Sequence, residues 1–138
     1  MSYLLDTDVL SEVRKSKGNE HVKAWLSGVN GNDLFLSVLV VGELRQGVER
    51  LKPRDPDQAR VLEAWLEALK RDYRERVLGI GSDVAEVWGR LNAVDPLPVI
   101  DGLLAATALV HNLTLVTRNV SDIERTGVAL LDPFAATG

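Results

Sequence analysis

The chain has no cysteine, so disulfides, thiolate metal sites and cysteine nucleophiles are excluded. It has only two histidines, His21 and His111, which argues against a histidine-rich zinc centre. The lack of cysteine fits a cytoplasmic protein. No long apolar run is present. The longest, Leu36–Val41 and Gly102–Val110, fall far short of the roughly 20 residues a membrane span needs. No basic segment leads into an apolar stretch at the start, so neither a signal peptide nor a membrane partner is expected. A large excess of either charge is also missing. Sixteen Lys and Arg against 20 Asp and Glu leave a net charge of −4. That argues against non-specific coating of nucleic acid and leaves room for a local basic groove.

What is there suits one domain spanning residues 1–138. A chain of this size buries roughly two-thirds of its unfolded surface, so it can hold a core without staples. Apolar runs at Tyr3–Leu5, Leu34–Ser37, Val77–Ile80, Leu113–Thr117 and Val128–Leu131 read as short strands. Between them lie helical patterns. A turn and short helix cover Asp6–Lys15, and a second helix covers Glu20–Gly28. Val38–Leu51 places Val41, Leu44, Val48 and Leu51 on one face, and Asp57–Arg76 carries a stripe of Leu62, Trp65, Leu66, Leu69 and Tyr73. Ser82 reads as the N-cap of a helix carrying Val84, Val87, Trp88 and Leu91. Val99–His111 is apolar nearly all round, hence buried, with Asn112 as its C-terminal cap. Asn119–Arg125 reads as a short helical segment. Continuous apolar strands alternating with helices predict an α/β fold. It is a three-layer helix-sheet-helix sandwich whose central, mainly parallel sheet has four or five short strands. Ligands in such folds gather beyond the carboxyl ends of the strands.

Acidic residues concentrate at that edge. Asp6 follows the first strand, and Thr117, Arg118 and Asn119 follow the Leu113–Val116 strand, with Asp122 one helical turn further on. Glu43 lies in the second turn of the helix after the second strand, and Asp101 opens the most apolar helix. Singly, each has an ordinary use. Asp6 or Asp8 can cap a helix, Asp101 can complement a helix dipole, Glu43 can pair on a solvated face, Asp122 can be a surface acid, and Asn119 can shape a turn. The apolar surroundings of Asp6, Glu43 and Asp101 shift the balance, because uncompensated acids are costly there. Two carboxylates ~4 Å apart repel by about 4 kcal/mol at an effective dielectric of 20. A cluster of them needs a cation. Oxygen-only ligands select magnesium, with manganese as substitute, and such a site suits phosphate chemistry.

The segments LLDTDVLSE, SVLVVGELRQGVERL and VIDGLLAATALVHNLTLVTRNVSDIERTGVALLDPF resemble the PIN domain, and within it the VapC and FitB-like toxins of type II toxin–antitoxin systems. The resemblance runs almost end to end. It implies a magnesium-dependent endoribonuclease, a homodimer, and a cognate antitoxin occupying the active-site groove. Carried over, Asp6, Glu43 and Asp101 match the acidic triad. FitB-like members often have Asp after Thr-Arg, where this chain has Asn119; Asp122 or Asn119 then completes the ligand set.

The mechanism expected is hydrolysis of RNA by a metal-activated water. Asp6 and Asp101 would contact the metal, and Glu43 would bind it directly or through water. Thr7, Ser37 and Thr117 would orient carboxylates or waters, or simply cap, and Asp8 would cap the first helix or support Asp6. Arg45, Arg50 and Arg118 are candidate RNA contacts, although charge on a solvated face is the commoner explanation. Trp25, Trp65, Trp88, Tyr73 and Phe35 fit core stripes better than a base-stacking platform. Rival readings are a non-catalytic PIN-fold binding module, a DNA or flap-type nuclease, and a haloacid-dehalogenase-like phosphatase with Asp6 as nucleophile and Asp8 as acid–base. The flap type is disfavoured by the absence of an arch or clamp insertion. The phosphatase is disfavoured because the segment from Ser82 to Ala106 has no lysine to hold a phosphate.

Overall fold

The computed structural model describes residues 1–135 of the chain. Its strands are β1 (Tyr3–Leu5), β2 (Leu34–Ser37), β3 (Val77–Leu78), β4 (Thr114–Val116) and β5 (Leu130–Leu131). Its helices are α1 (Thr7–Arg14), α2 (Glu20–Ser27), α3 (Val38–Leu51), α4 (Pro56–Asp72), α5 (Ser82–Val94), α6 (Val99–His111) and α7 (Val120–Ile123). Short 3-10 turns at Gly31–Asp33, Arg74–Arg76 and Glu124–Thr126 join them.

The five strands form one sheet in the order β3-β2-β1-β4-β5, and every pairing is parallel. Successive connections first step from β1 out to β3, then cross back to β4 and continue to β5. Parallel crossovers are right-handed, so the reversal moves the later helices to the opposite face. Helices α1 to α4 therefore cover one face, where α1 packs on α3 and α3 on α4. Helices α5 to α7 cover the other, where α6 packs on α5 and α7. The core lies on both sides of the sheet, through Leu4, Leu5, Leu36, Leu115 and Val116. The reversal creates a crevice beyond the carboxyl ends of β1 and β4, where open parallel sheets bind ligands.

Local chemistry explains most element boundaries. Ser37 caps α3 by accepting from Leu39 N at 3.1 Å, and Asp55 caps α4 by accepting from Gln58 N at 3.2 Å, with Pro56 in the first turn. Asn112 ends α6 in the left-handed conformation at φ 55°, its N–H turned back to the carbonyls of Ala108 and Leu109. Three expectations need correction. Gly81, rather than Ser82, stands at the N-cap of α5, and Asp83 accepts from Val84 N at 2.8 Å instead. The long helix stops at Asp72, because Arg76 leaves the helical path to donate from Nε to Leu34 O at 2.9 Å and so ties the approach to β3 onto β2. On α3, Val40, Leu44 and Val48 form the buried face, while Val41 and Leu51 sit at its margin.

Candidate active site at the carboxyl edge of the sheet

Asp6 stands where β1 gives way to α1. Its backbone N donates to Val116 O of β4 at 3.0 Å, which fixes the residue across the crevice. Its side chain caps α1, with Oδ1 accepting from Thr7 N at 2.7 Å. Oδ2 accepts from the hydroxyl of Thr117 at 2.8 Å, a bond between groups 111 residues apart in sequence. Thr117 is fully buried, and Asp6 is only 7% exposed. The Thr117 oxygen in turn accepts from Asn119 N at 3.1 Å, so the two strand ends and the start of α7 share one network. A second link crosses to α3, where the Thr7 hydroxyl donates to Glu43 Oε1 at 2.6 Å.

Burial pushes the Asp6 carboxyl from its ordinary 3.8 up to about 6. The charges of Asp8 and Asp101 add to the rise, against the two hydrogen bonds that favour the charged form. Asp101, in the first turn of α6, is raised too, first by burial and then by Asp122, Glu43 and Asp8. Asp8 is exposed and acts on both as a neighbouring negative charge. The five acids thus share one electrostatic neighbourhood. Among the described residues, none of them pairs with a lysine, arginine or histidine, although nine ion pairs form elsewhere.

An all-oxygen set of uncompensated carboxylates fits a hard divalent cation in charge and donor chemistry. As the side chains stand, no three described His, Asp or Glu residues converge closely enough to hold an ion together. The fold gathers the donors, and a cation would have to draw the side chains in. The Asn119 side chain does not cap α7, and its recorded link to the network is through the backbone. Asp122 is exposed on α7 and reaches the cluster through its charge on Asp101. Ser37 is fully buried and engaged as the α3 cap.

The three arginines separate. Arg45 turns away from the mouth: it pairs with Glu63, with Glu67 at 3.1 Å and with Glu49 at 3.5 Å, clasping α3 to α4. Three surrounding glutamates make an arginine a poorer phosphate contact, so these pairs favour a structural use of Arg45 over the RNA role expected of it. Arg45→Ala should lower the melting temperature by no more than a few degrees and leave the salt dependence of RNA binding unchanged. A reduced salt slope would return Arg45 to the RNA path. Arg50 is exposed in the last turn of α3. Arg118, beside Thr117, lies with Cζ 3.8 Å from the centre of the Phe134 ring. Phe134 was not picked out by sequence reasoning. Its only local sign is Asp132-Pro133, which turns the chain straight after β5.

Residues 3–128 match the family model of the PIN domain. The chain belongs to the PIN domain family. This PIN domain is similar to the toxin FitB of Neisseria gonorrhoeae, with 33% identity over 137 residues covering 95% of this chain and 97% of FitB. It is similar to the VapC ribonuclease Y4jK of Sinorhizobium fredii, with 32% identity covering 95% of this chain and 96% of that protein. The crystal structure of FitAcB from Neisseria gonorrhoeae matches its fold with a TM-score of 0.90 at 32% identity, over 97% of this chain and 99% of that one. No helix of the described PIN domain is long and apolar enough to cross a membrane.

Proposed function

We propose that this PIN domain is a magnesium-dependent endoribonuclease, the toxin of a type II toxin–antitoxin pair, and that it hydrolyses RNA phosphodiester bonds with water as nucleophile. The observation that carries this reading is the cluster of unpaired acids at the β1–β4 crevice, anchored by the buried Asp6–Thr117 hydrogen bond. The names of its relatives, a FitB toxin and a VapC ribonuclease, support the substrate class. A bound magnesium ion lowers the pKa of water and neutralises charge developing on phosphoryl oxygens.

The residues divide the work. Asp6 and Asp101 would be the ligands. Thr117 fixes one oxygen of Asp6, and Thr7 fixes Glu43, which would hold the ion directly or through a water, or hold the attacking water. Asp122 is the better fourth carboxylate, because its charge already acts on Asp101, whereas Asn119 is tied in through its backbone. The partners that follow are RNA, a cognate antitoxin seated in the groove, and a second copy of the chain. The exposed Val38 and Val61 on the α3–α4 pair offer apolar surface for that copy.

The test is cleavage of a tRNA and rRNA panel with magnesium or with EDTA. Cutting is expected only with the metal. With a single deoxynucleotide at the mapped cleavage position, cutting should persist, because the RNA's own 2′-hydroxyl takes no part. Loss of cutting with binding retained would sink the hydrolytic mechanism. Magnesium-independent binding without any cleavage would favour the non-catalytic module.

A further inference from the structure

We propose that Arg118 and Phe134 form a phosphate-binding subsite, holding the RNA phosphate next to the one being cut. This rests on the ribonuclease reading and assigns its first substrate contact outside the acid cluster. The topology places the pair there. Strands β4 and β5 are parallel neighbours with Val116 opposite Leu131, and Thr117 N donates to Leu131 O at 3.0 Å. The chain therefore leaves both strands at the same edge. Arg118 comes directly after the threonine that holds Asp6, so its backbone is fixed one residue from the acid cluster. Phe134 is positioned by the buried Pro133 and by its own N–H, which donates to Asp132 Oδ1 at 2.9 Å.

The guanidinium carbon lies over the ring, a cation–π contact that holds the charge in place, and no hydrogen bond within the described protein engages its N–H donors. Among the described residues that guanidinium forms no ion pair, although the charge of Glu12 on α1, itself paired with Lys15, lies near enough to feel it, and Arg118 is exposed. Other arginines near the sheet are engaged: Arg45 with its glutamates, Arg76 with Leu34 O and Arg125 with Asp95. A planar donor fork of this kind matches a phosphate. A mouth built of acids repels a polyanion, so a fixed cation at the rim is what allows RNA to approach. An acidic peptide has the same charge problem, without a neighbouring phosphate that needs to reach the acids.

The experiment compares the wild type with Arg118→Ala, Arg118→Lys and Phe134→Leu in magnesium. It also measures binding of uncut RNA to Asp6→Asn protein with and without Arg118→Ala, over a range of salt. Arg118→Ala should raise KM about tenfold with kcat held within about twofold, as expected for one charge-assisted contact. Its log–log salt slope should be shallower by about 0.7, the share of one phosphate on a single strand. Arg118→Lys should restore the slope and only part of KM, and Phe134→Leu should raise KM while keeping the slope. If the wild type cuts RNA and Arg118→Ala changes neither KM nor slope, the subsite is wrong. If Arg118→Ala instead loses only binding of a polyglutamate peptide, the contact belongs to a protein and the subsite is again wrong. A wild type that neither binds nor cuts RNA overturns the ribonuclease reading itself.

Discussion

Asp6→Asn should cut a susceptible RNA at least about a hundredfold more slowly than the wild type in magnesium, because on the proposed function it removes a metal ligand, a loss that exceeds the roughly 10–100-fold effect of losing an outer-shell partner. In EDTA the same variant should melt at the wild-type temperature or above. The two readouts together separate a metal ligand from a helix cap. Asn is as good an N-cap as Asp, so the bond from Thr7 N survives the substitution. The amide can also donate to Thr117 Oγ1, which already accepts from Asn119 N, with the hydroxyl proton turned elsewhere. What Asn removes is the negative charge, and charge is what the cation requires. Asp101→Asn should behave alike in activity, because Asp101 lies under the same negative charges. If either variant loses several degrees in EDTA and keeps its cleavage, that acid is structural.

The sequence made Asp6, Glu43 and Asp101 stand out because each sits against apolar neighbours, where an acid without a purpose is selected against by its desolvation. The parallel sheet was equally legible, since strands buried on both faces are apolar without alternation. What local pattern could not supply was pairing over distance. The Asp6–Thr117 bond depends on β1 and β4 being neighbours, and that follows from the chain reversing direction after β3. Arg45 looked like a free cation on α3, because its glutamates are on α4 or one turn away, and only packing brings all three together. Choosing Val41 over Val40 for the α3 core had a related cause. Both fit a helical stripe through Leu44 and Val48, and the rotation of the helix on the sheet decides between them. Asp8 illustrates the reverse case: the α1 cap expected of it falls to Asp6, and its charge on both Asp6 and Asp101 emerges only in three dimensions.

Metal-free wild type should lose stability relative to Asp6→Asn as pH rises from about 4 to about 7. The sign follows from the direction of the shift. The Asp6 pKa is raised by folding from 3.8 to about 6, so the fold prefers the protonated carboxyl. The resulting stabilisation is fully present below the unfolded pKa and disappears as pH climbs through the folded one. The rise corresponds to ~3 kcal/mol between the two forms. Asp101 is raised as well and adds to the same trend. Glu12, Glu49 and Glu63 are lowered and push the other way, since their stabilisation is lost in acid. Total stability therefore mixes opposing slopes, whereas the difference between wild type and Asp6→Asn leaves Asp6 together with its coupling to Asp101. Denaturant unfolding in EDTA across that pH window measures it, and parallel curves for the two proteins would contradict the strained carboxylate. Saturating magnesium should reverse the trend, because the ion binds the charged form of the folded protein and stabilises it by mass action. The magnesium-induced gain in melting temperature should accordingly grow with pH in the wild type and be small at every pH in Asp6→Asn. A gain of that form would mark Asp6 as a carboxylate held charged at the edge of the sheet at its own expense and relieved by a cation.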